Sequence, residues 1–388
     1  MSITSWGRRV LDHPYSAALA VSSGAGVALA WSLGSISTYQ RVVFATWFHH
    51  HGLTTHAVVV NGLMTLFFAA VGLEMSREFR TPTHHPRAAL PAVAGAVGGM
   101  VTTACLSLLA GTWWHSSALR RGWGVPMATD IAFTLGIVAL AGPRVPTALR
   151  TFLLTLAIAD DVLSVVVLAF TGVAHVRVEG LALIVLIAVA GALVARRGAP
   201  GPVGLVVLVA LWLAFEWSGV EPALAGVLAG FIVPVTTPRA RHLEERVTRW
   251  SVALALPLFA LVACGVRWST IHWSGGVGRI IIATVAIRLV GKALGISVGV
   301  LVAQGLGARR HPSLTPTVLL GASFLCAIGF TVPLLFAGAL FGGTSVTYGA
   351  FTVGLLVASV LGAVSGVALL RWSTRRRPSG PTTAPLED

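Results

Sequence analysis

Twelve apolar windows alternate with short polar stretches along the chain: 16–34, 57–75, 88–112, 124–142, 150–172, 179–195, 201–217, 222–237, 250–266, 278–304, 315–341 and 346–370. A helix needs about 20 mostly apolar residues to cross a bilayer, so the pattern predicts about twelve spans. The first window follows Arg8-Arg9, as a signal peptide would. No small-residue cleavage site precedes a soluble domain, so it is taken as the first span. Residues 1–377 then form a single transmembrane domain, and 378–388 a disordered tail.

Breakers interrupt two windows. Pro126 precedes Ala128-Thr129-Asp130 in the fourth, and Gly329-Phe330-Thr331 with Pro333 lies in the eleventh. Such residues free backbone groups that lipid cannot satisfy, so a break belongs where it is buried or lines a polar cavity. Paired interruptions in two halves of a chain point to an ion site near the midplane. A packing kink is the plainer alternative for either one alone.

Composition supports the membrane reading. Only 10% of the 388 residues are charged and 55% are hydrophobic, against about 25% charged in soluble domains. Disorder of the bulk is excluded by this apolar content, and a disulfide scaffold by the presence of just three cysteines, Cys105, Cys264 and Cys326. The net charge of +14 would suit nucleic acid, but the arginines cluster in short loops between apolar runs, which is the membrane-topology pattern. Nineteen arginines fall on the N- and C-terminal flanks and alternate loops, and six on the other side. Both termini are therefore expected in the cytoplasm.

Charges within spans carry the chemistry. Asp130 lies in the fourth window, Asp160 and Asp161 in the fifth, and Lys292, the chain's only lysine, in the tenth. A charge at the bilayer centre costs at least about 2.5–3.5 kcal/mol. Pairing accounts for one acid and one lysine but not for three acids. Neighbours on a helix project about 100° apart, so Asp160 and Asp161 face different ways: one can meet a cation while the other meets another helix. Carboxylates are hard ligands for small hard cations. Desolvation and a like-charged neighbour favour their protonated form. A group that holds either a proton or a cation is the minimum needed for exchange. Lys292 is either a proton carrier or a counter-ion. His49-His50-His51 with His56, and His84-His85, read as surface histidines, since no matched Cys or carboxylate set accompanies them.

Two stretches, Gly122-Trp123-Gly124-Val125-Pro126-Met127-Ala128-Thr129-Asp130-Ile131-Ala132-Phe133 and Leu156-Ala157-Ile158-Ala159-Asp160-Asp161, resemble the NhaA-type sodium/proton antiporters. So do Val71–Glu74 with Arg77-Glu78, Leu256–Ala260, Gly291-Lys292 and Ile328–Thr331, in order along most of the chain. The resemblance implies an all-α polytopic membrane protein with inverted-topology repeats. Its fourth and eleventh helices would be broken and would cross near the midplane. It implies a secondary transporter rather than an enzyme, serving pH homeostasis in the bacterial inner membrane. The protein would take up H+ against extrusion of Na+ or Li+, without a cofactor.

By the same resemblance, Asp161 is the main carboxylate for cation and proton, Asp160 its neighbour and the partner of Lys292. Thr129 is an oxygen ligand, so Na+ is placed at Asp161 and Thr129. Asp130 balances facing half-helix dipoles, and Pro126, Gly329 and Thr331 belong to the broken helices. Glu74 and Glu78 match a cytoplasmic funnel linked to pH response. Partners are Na+ or Li+, H+ and membrane lipid, with a homodimer left open and no nucleic acid.

Four positions depart from the family pattern. Val60-Asn61 stands where an Asn-Asp pair is usual, so an acid is missing. Glu221 replaces a histidine, Ala263 an asparagine, and Pro333 a non-proline residue. They motivate the alternative of a diverged member with altered selectivity or a sensing role. An intramembrane aspartyl enzyme is the remote alternative: acids on two spans suit it, but no Gly-x-Gly-Asp is present.

Overall fold

The computed structural model describes residues 16–48, 53–80, 86–140, 145–171, 177–197, 201–233 and 238–375. The histidines at 49–51 and 84–85 and the tail 378–388 lie outside the described residues. Among the described residues, eight helices are long and apolar enough to cross a membrane. They cover Ala17–Gly34, Thr55–Arg77, Ala89–Trp113, Thr147–Ala169, Val178–Arg196, Ala240–Ala263, Gly275–Gly305 and Val346–Ser373. Shorter apolar helices occupy Val203–Ser218, Pro222–Ile232, Pro316–Leu325 and Thr331–Phe341. The chain is a polytopic helical membrane protein. A departure from pure helix is the antiparallel pairing of Thr46–Phe48 with Leu53–Thr54, which follows the short helix Ile36–Val43.

The apolar windows differ from the observed helices at both breakers. In the fourth, regular helix begins only at Ile131, because Gly122 to Met127 run in turns and 128–130 have no regular secondary structure. In the eleventh, one helix ends at Leu325 and the next starts at Thr331. Pro333 does not interrupt anything: it sits in the first turn of Thr331–Phe341. The first four N–H groups of a helix have no partner within it, so a proline there sacrifices no bond.

Small residues set the helix contacts. Without a hydrophobic drive between helices in lipid, association relies on close backbone approach. The Pro86–Trp113 helix packs along Lys292–Gly305. A side chain at Gly98 would collide with the Gly295 carbonyl, and one at Gly295 with that of Gly98. This crossing carries Lys292 into the interior. Leucines and valines on Val178–Arg196 and Gly201–Ser218, among them Leu186 and Val206, are exposed, as lipid-facing positions are. Buried apolar side chains form two main clusters. The smaller joins Ala92, Ala96, Leu149, Leu156, Ile296 and Leu325. The larger includes Met64, Phe259, Phe336 and Phe351.

Candidate functional site: two helix breaks around buried charges

The two non-helical stretches lie against each other. The Asp130 N–H donates to the Ile328 carbonyl at 3.0 Å, and the Thr134 hydroxyl to the Leu325 carbonyl at 3.3 Å. Backbone released from one helix is thus partly satisfied by the other, which is how a break persists away from water.

Two helices begin at these stretches, Ile131–Leu140 and Thr331–Phe341. Helix N-termini carry partial positive charge and attract anions. Asp130 serves both. Its Oδ1 accepts from the Phe133 N–H at 3.3 Å. Its Oδ2 accepts from the Thr331 hydroxyl at 3.1 Å and from the Thr331 N–H at 3.4 Å.

Carbonyls with no helical partner collect nearby, and a buried cation meets them. Arg288, with no exposed surface, donates through Nε to the Ala327 carbonyl at 2.8 Å and through Nη2 to the Ala128 carbonyl at 2.9 Å. Its Nη1 has no hydrogen-bond partner. Gly329 leaves the space this guanidinium occupies, since a Cβ there would strike Nη2.

Lys292 lies four residues beyond Arg288. Between them, residues Ile287–Gly291 form wider turns than an α-helix before the helix resumes at Lys292; such bulges recur at functional sites. Lys292 Nζ stands 3.0 Å from Asp160 Oδ1 and 3.2 Å from Oδ2. Asp160 Oδ2 also accepts from the Thr129 N–H at 2.6 Å. The Thr129 hydroxyl donates to the Cys326 carbonyl at 3.0 Å, which leaves its oxygen lone pairs available. Asp161 is buried beside this pair and makes no hydrogen bond or ion pair with another described residue.

The structure therefore brings together Thr129, Asp130, Asp160, Lys292, Gly329 and Thr331. Pro126 is buried in the turn leading into the first break. Glu74 and Glu78 are carried on Met64–Arg80, and Glu74 is near enough to Asp161 to act on it electrostatically. Arg77 bridges Glu74 at 4.0 Å and Glu244 at 3.0 Å, while the Glu78 side chain lies outside the described residues. His56, expected at the surface, is half-buried instead and stacks on Phe44 at 5.1 Å.

Sequence reasoning gave Arg288 no role. Its signal was its place inside an apolar run, one helical turn before the lysine and on the same face. Hydropathy did not show that carbonyls over 30 and over 150 residues away would meet it.

Known proteins resemble this chain over most of its length. The profile of the family described as Na+/H+ antiporter 1 matches residues 8–370. The chain is 37% identical over 336 residues to the Na(+)/H(+) antiporter NhaA of Aeromonas salmonicida, covering 84% of each protein. It is 36% identical over 326 residues to that of Serratia proteamaculans, covering 81% of this chain and 83% of the relative. With that of Cronobacter sakazakii the identity is 38% over 338 residues, covering 82% and 84%. With a profile match over nearly its whole length and relatives at this level of identity, the chain belongs to the Na+/H+ antiporter 1 family.

Proposed function

We propose that the protein is a secondary antiporter exchanging Na+ (or Li+) for H+ across the bacterial inner membrane. One observation carries the reading: two adjacent buried carboxylates have opposite fates. Asp160 is neutralised by Lys292 and bonded to Thr129, whereas Asp161 has no partner among the described residues. An unpaired carboxylate in a low-dielectric interior is costly until a proton or a cation neutralises it. A site that accepts either one, but not both, couples the two flows when it is exposed alternately to each side of the membrane.

Roles follow within that reading. Asp161 is the exchanging group, and the Thr129 oxygen is an added ligand for Na+. Lys292 pairs with Asp160, and cation arrival weakens that pair, with Lys292 acting as counter-ion or proton carrier. Asp130 offsets the two helix N-termini, and Pro126, Gly329 and Thr331 keep the breaks open. Glu74 and Glu78 tune the response to pH. The arginine distribution supports both termini in the cytoplasm, with residues 1–377 working as one transport unit. The relatives are named as antiporters, which supports transport rather than enzymatic chemistry.

The test uses inverted vesicles energised by respiration. Adding Na+ should partly collapse the acid-inside gradient in the wild type, and Asp161→Asn should abolish that response at equal expression. An unchanged response in the variant would overturn the site assignment.

A further inference from the structure

A cavity of about 130 Å³, lined by none of Thr129, Asp130, Asp160, Asp161 and Lys292, lies at the ends of the spans whose loops carry few arginines. Its polar lining comes from Glu221, His56, Asn61 and Tyr348, and its apolar lining includes Phe259 and Leu334. No lysine or arginine lines it. At roughly 30 Å³ per water, the space holds about four water-sized occupants.

Glu221 gives the cavity its charge. It sits in the turn between Gly201–Ser218 and Pro222–Leu224, and its Oε1 is buried without a hydrogen-bond partner. A buried acceptor left unsatisfied is costly, the more so when it is charged. The other polar groups offer oxygen atoms rather than neutralisation. Tyr348 donates its proton to the Ala263 carbonyl at 2.6 Å, so its oxygen can accept toward the cavity. The Asn61 carbonyl accepts from Trp212 at 2.9 Å and from the Thr65 hydroxyl at 2.6 Å, while its side-chain amide forms no hydrogen bond among the described residues. Carboxylate, amide and phenol oxygens are hard donors.

We propose that this cavity is a second cation-binding site, in which a small monovalent cation with part of its water shell rests against the Glu221 carboxylate. The inference rests on the exchange reading above and gives it a docking point for the transported ion on the arginine-poor side. It also joins two departures that are separate in sequence. The position that lacks an acid, Asn61, and the position that gains one, Glu221, line the same cavity, so the negative charge sits at a different point of its lining. Desolvation first, and then Glu216 on the preceding helix, push Glu221 up to about 7. The other titratable groups lining the cavity are His56 from the second span and Tyr348 from the last helix. Protons and cations therefore compete for the carboxylate around neutral pH.

The experiment measures radioactive Na+ binding to purified Asp161→Asn protein, in which the first site is disabled. Residual binding of about one ion per chain is expected at alkaline pH, with half of it lost near pH 7 as Glu221 takes up a proton. Adding Glu221→Gln should weaken that binding about tenfold or more, whereas Glu221→Asp should retain it. Adding Asn61→Asp to the Gln variant should restore it by returning a carboxylate to the cavity lining. Absence of residual binding, or residual binding indifferent to Glu221→Gln, would overturn the second site. A loss that Asn61→Asp fails to restore would mark Glu221 as a structural group and do the same. Na+-driven proton movement by wild-type protein in liposomes separates the two readings. If it persists, only the second site falls; if it is absent, the exchange reading falls as well.

Discussion

Lys292 reaches both oxygens of Asp160, at 3.0 and 3.2 Å, with neither side chain exposed. The pair ties the helix Lys292–Gly305 to Thr147–Thr171, and the Thr129 N–H bond extends the tie to the first break. One of two adjacent acids is thereby occupied, and the cost of the unoccupied one falls on Asp161.

Removing one partner of a buried pair leaves a charge uncompensated, at about 3–5 kcal/mol. Lys292→Met should therefore lower thermal stability in detergent markedly. Adding Asp160→Asn should recover most of the loss, because the stranded charge is gone. Equal melting temperatures for the single and double variants would show that the two groups are not coupled.

Arg288 satisfies one carbonyl on each broken stretch. Hydrogen bonds from a charged donor are worth about 1.5–3 kcal/mol each, so Arg288→Leu should destabilise the protein by about 3 kcal/mol or more. Na+/H+ exchange should fall together with stability. Arg288→Lys, which lacks the planar fork, should recover only part of either. Melting curves and vesicle assays on the same membranes check this; a stable, active Leu variant would refute it.

Gly98 and Gly295 allow two backbones to meet. Gly295→Val should force the Pro86–Trp113 and Lys292–Gly305 helices apart and shift Lys292 away from Asp160. Overpacking of this kind costs about 1–3 kcal/mol, sometimes more. Gly305→Ala is the control, because a Cβ there meets nothing within 4 Å. A valine at 295 that leaves both melting temperature and exchange unchanged would contradict the observed contact.

Glu221 makes stability depend on pH in a definite direction. Its folded value lies near 7, above the ordinary 4.5. Between these values the folded chain holds more protons than the unfolded one, so this group's contribution to stability falls as pH rises. It is fully present below about 4.5 and lost by about 7. Glu221→Gln should flatten that part of the melting-temperature profile. A variant whose profile has the same slope as wild type in Na+-free buffer would show that Glu221 is not the group responsible.

Hydropathy, arginine placement and the rarity of charge within spans determined the membrane class, most span positions and the residues worth attention. These are local properties: each rests on about 20 consecutive residues or on the chemistry of one side chain. Helical geometry required Asp160 and Asp161 to diverge, but did not say which one faces the lysine. The family resemblance implied Asp160, and the structure pairs Lys292 with it. Pro333 looked disruptive until the start of the second helix at Thr331 put it in the first turn. Arg288 had no role to be read from sequence, and gained one only where the two breaks laid bare carbonyls around it. Asn61 and Glu221 were two unrelated departures until both lined one cavity. Each of these outcomes depends on the rotation and crossing of helices distant in sequence. A local pattern fixes which face of a helix is apolar, not which distant polar group that helix will meet. Tertiary packing made that choice, because a buried donor or acceptor in lipid must find its partner within the protein.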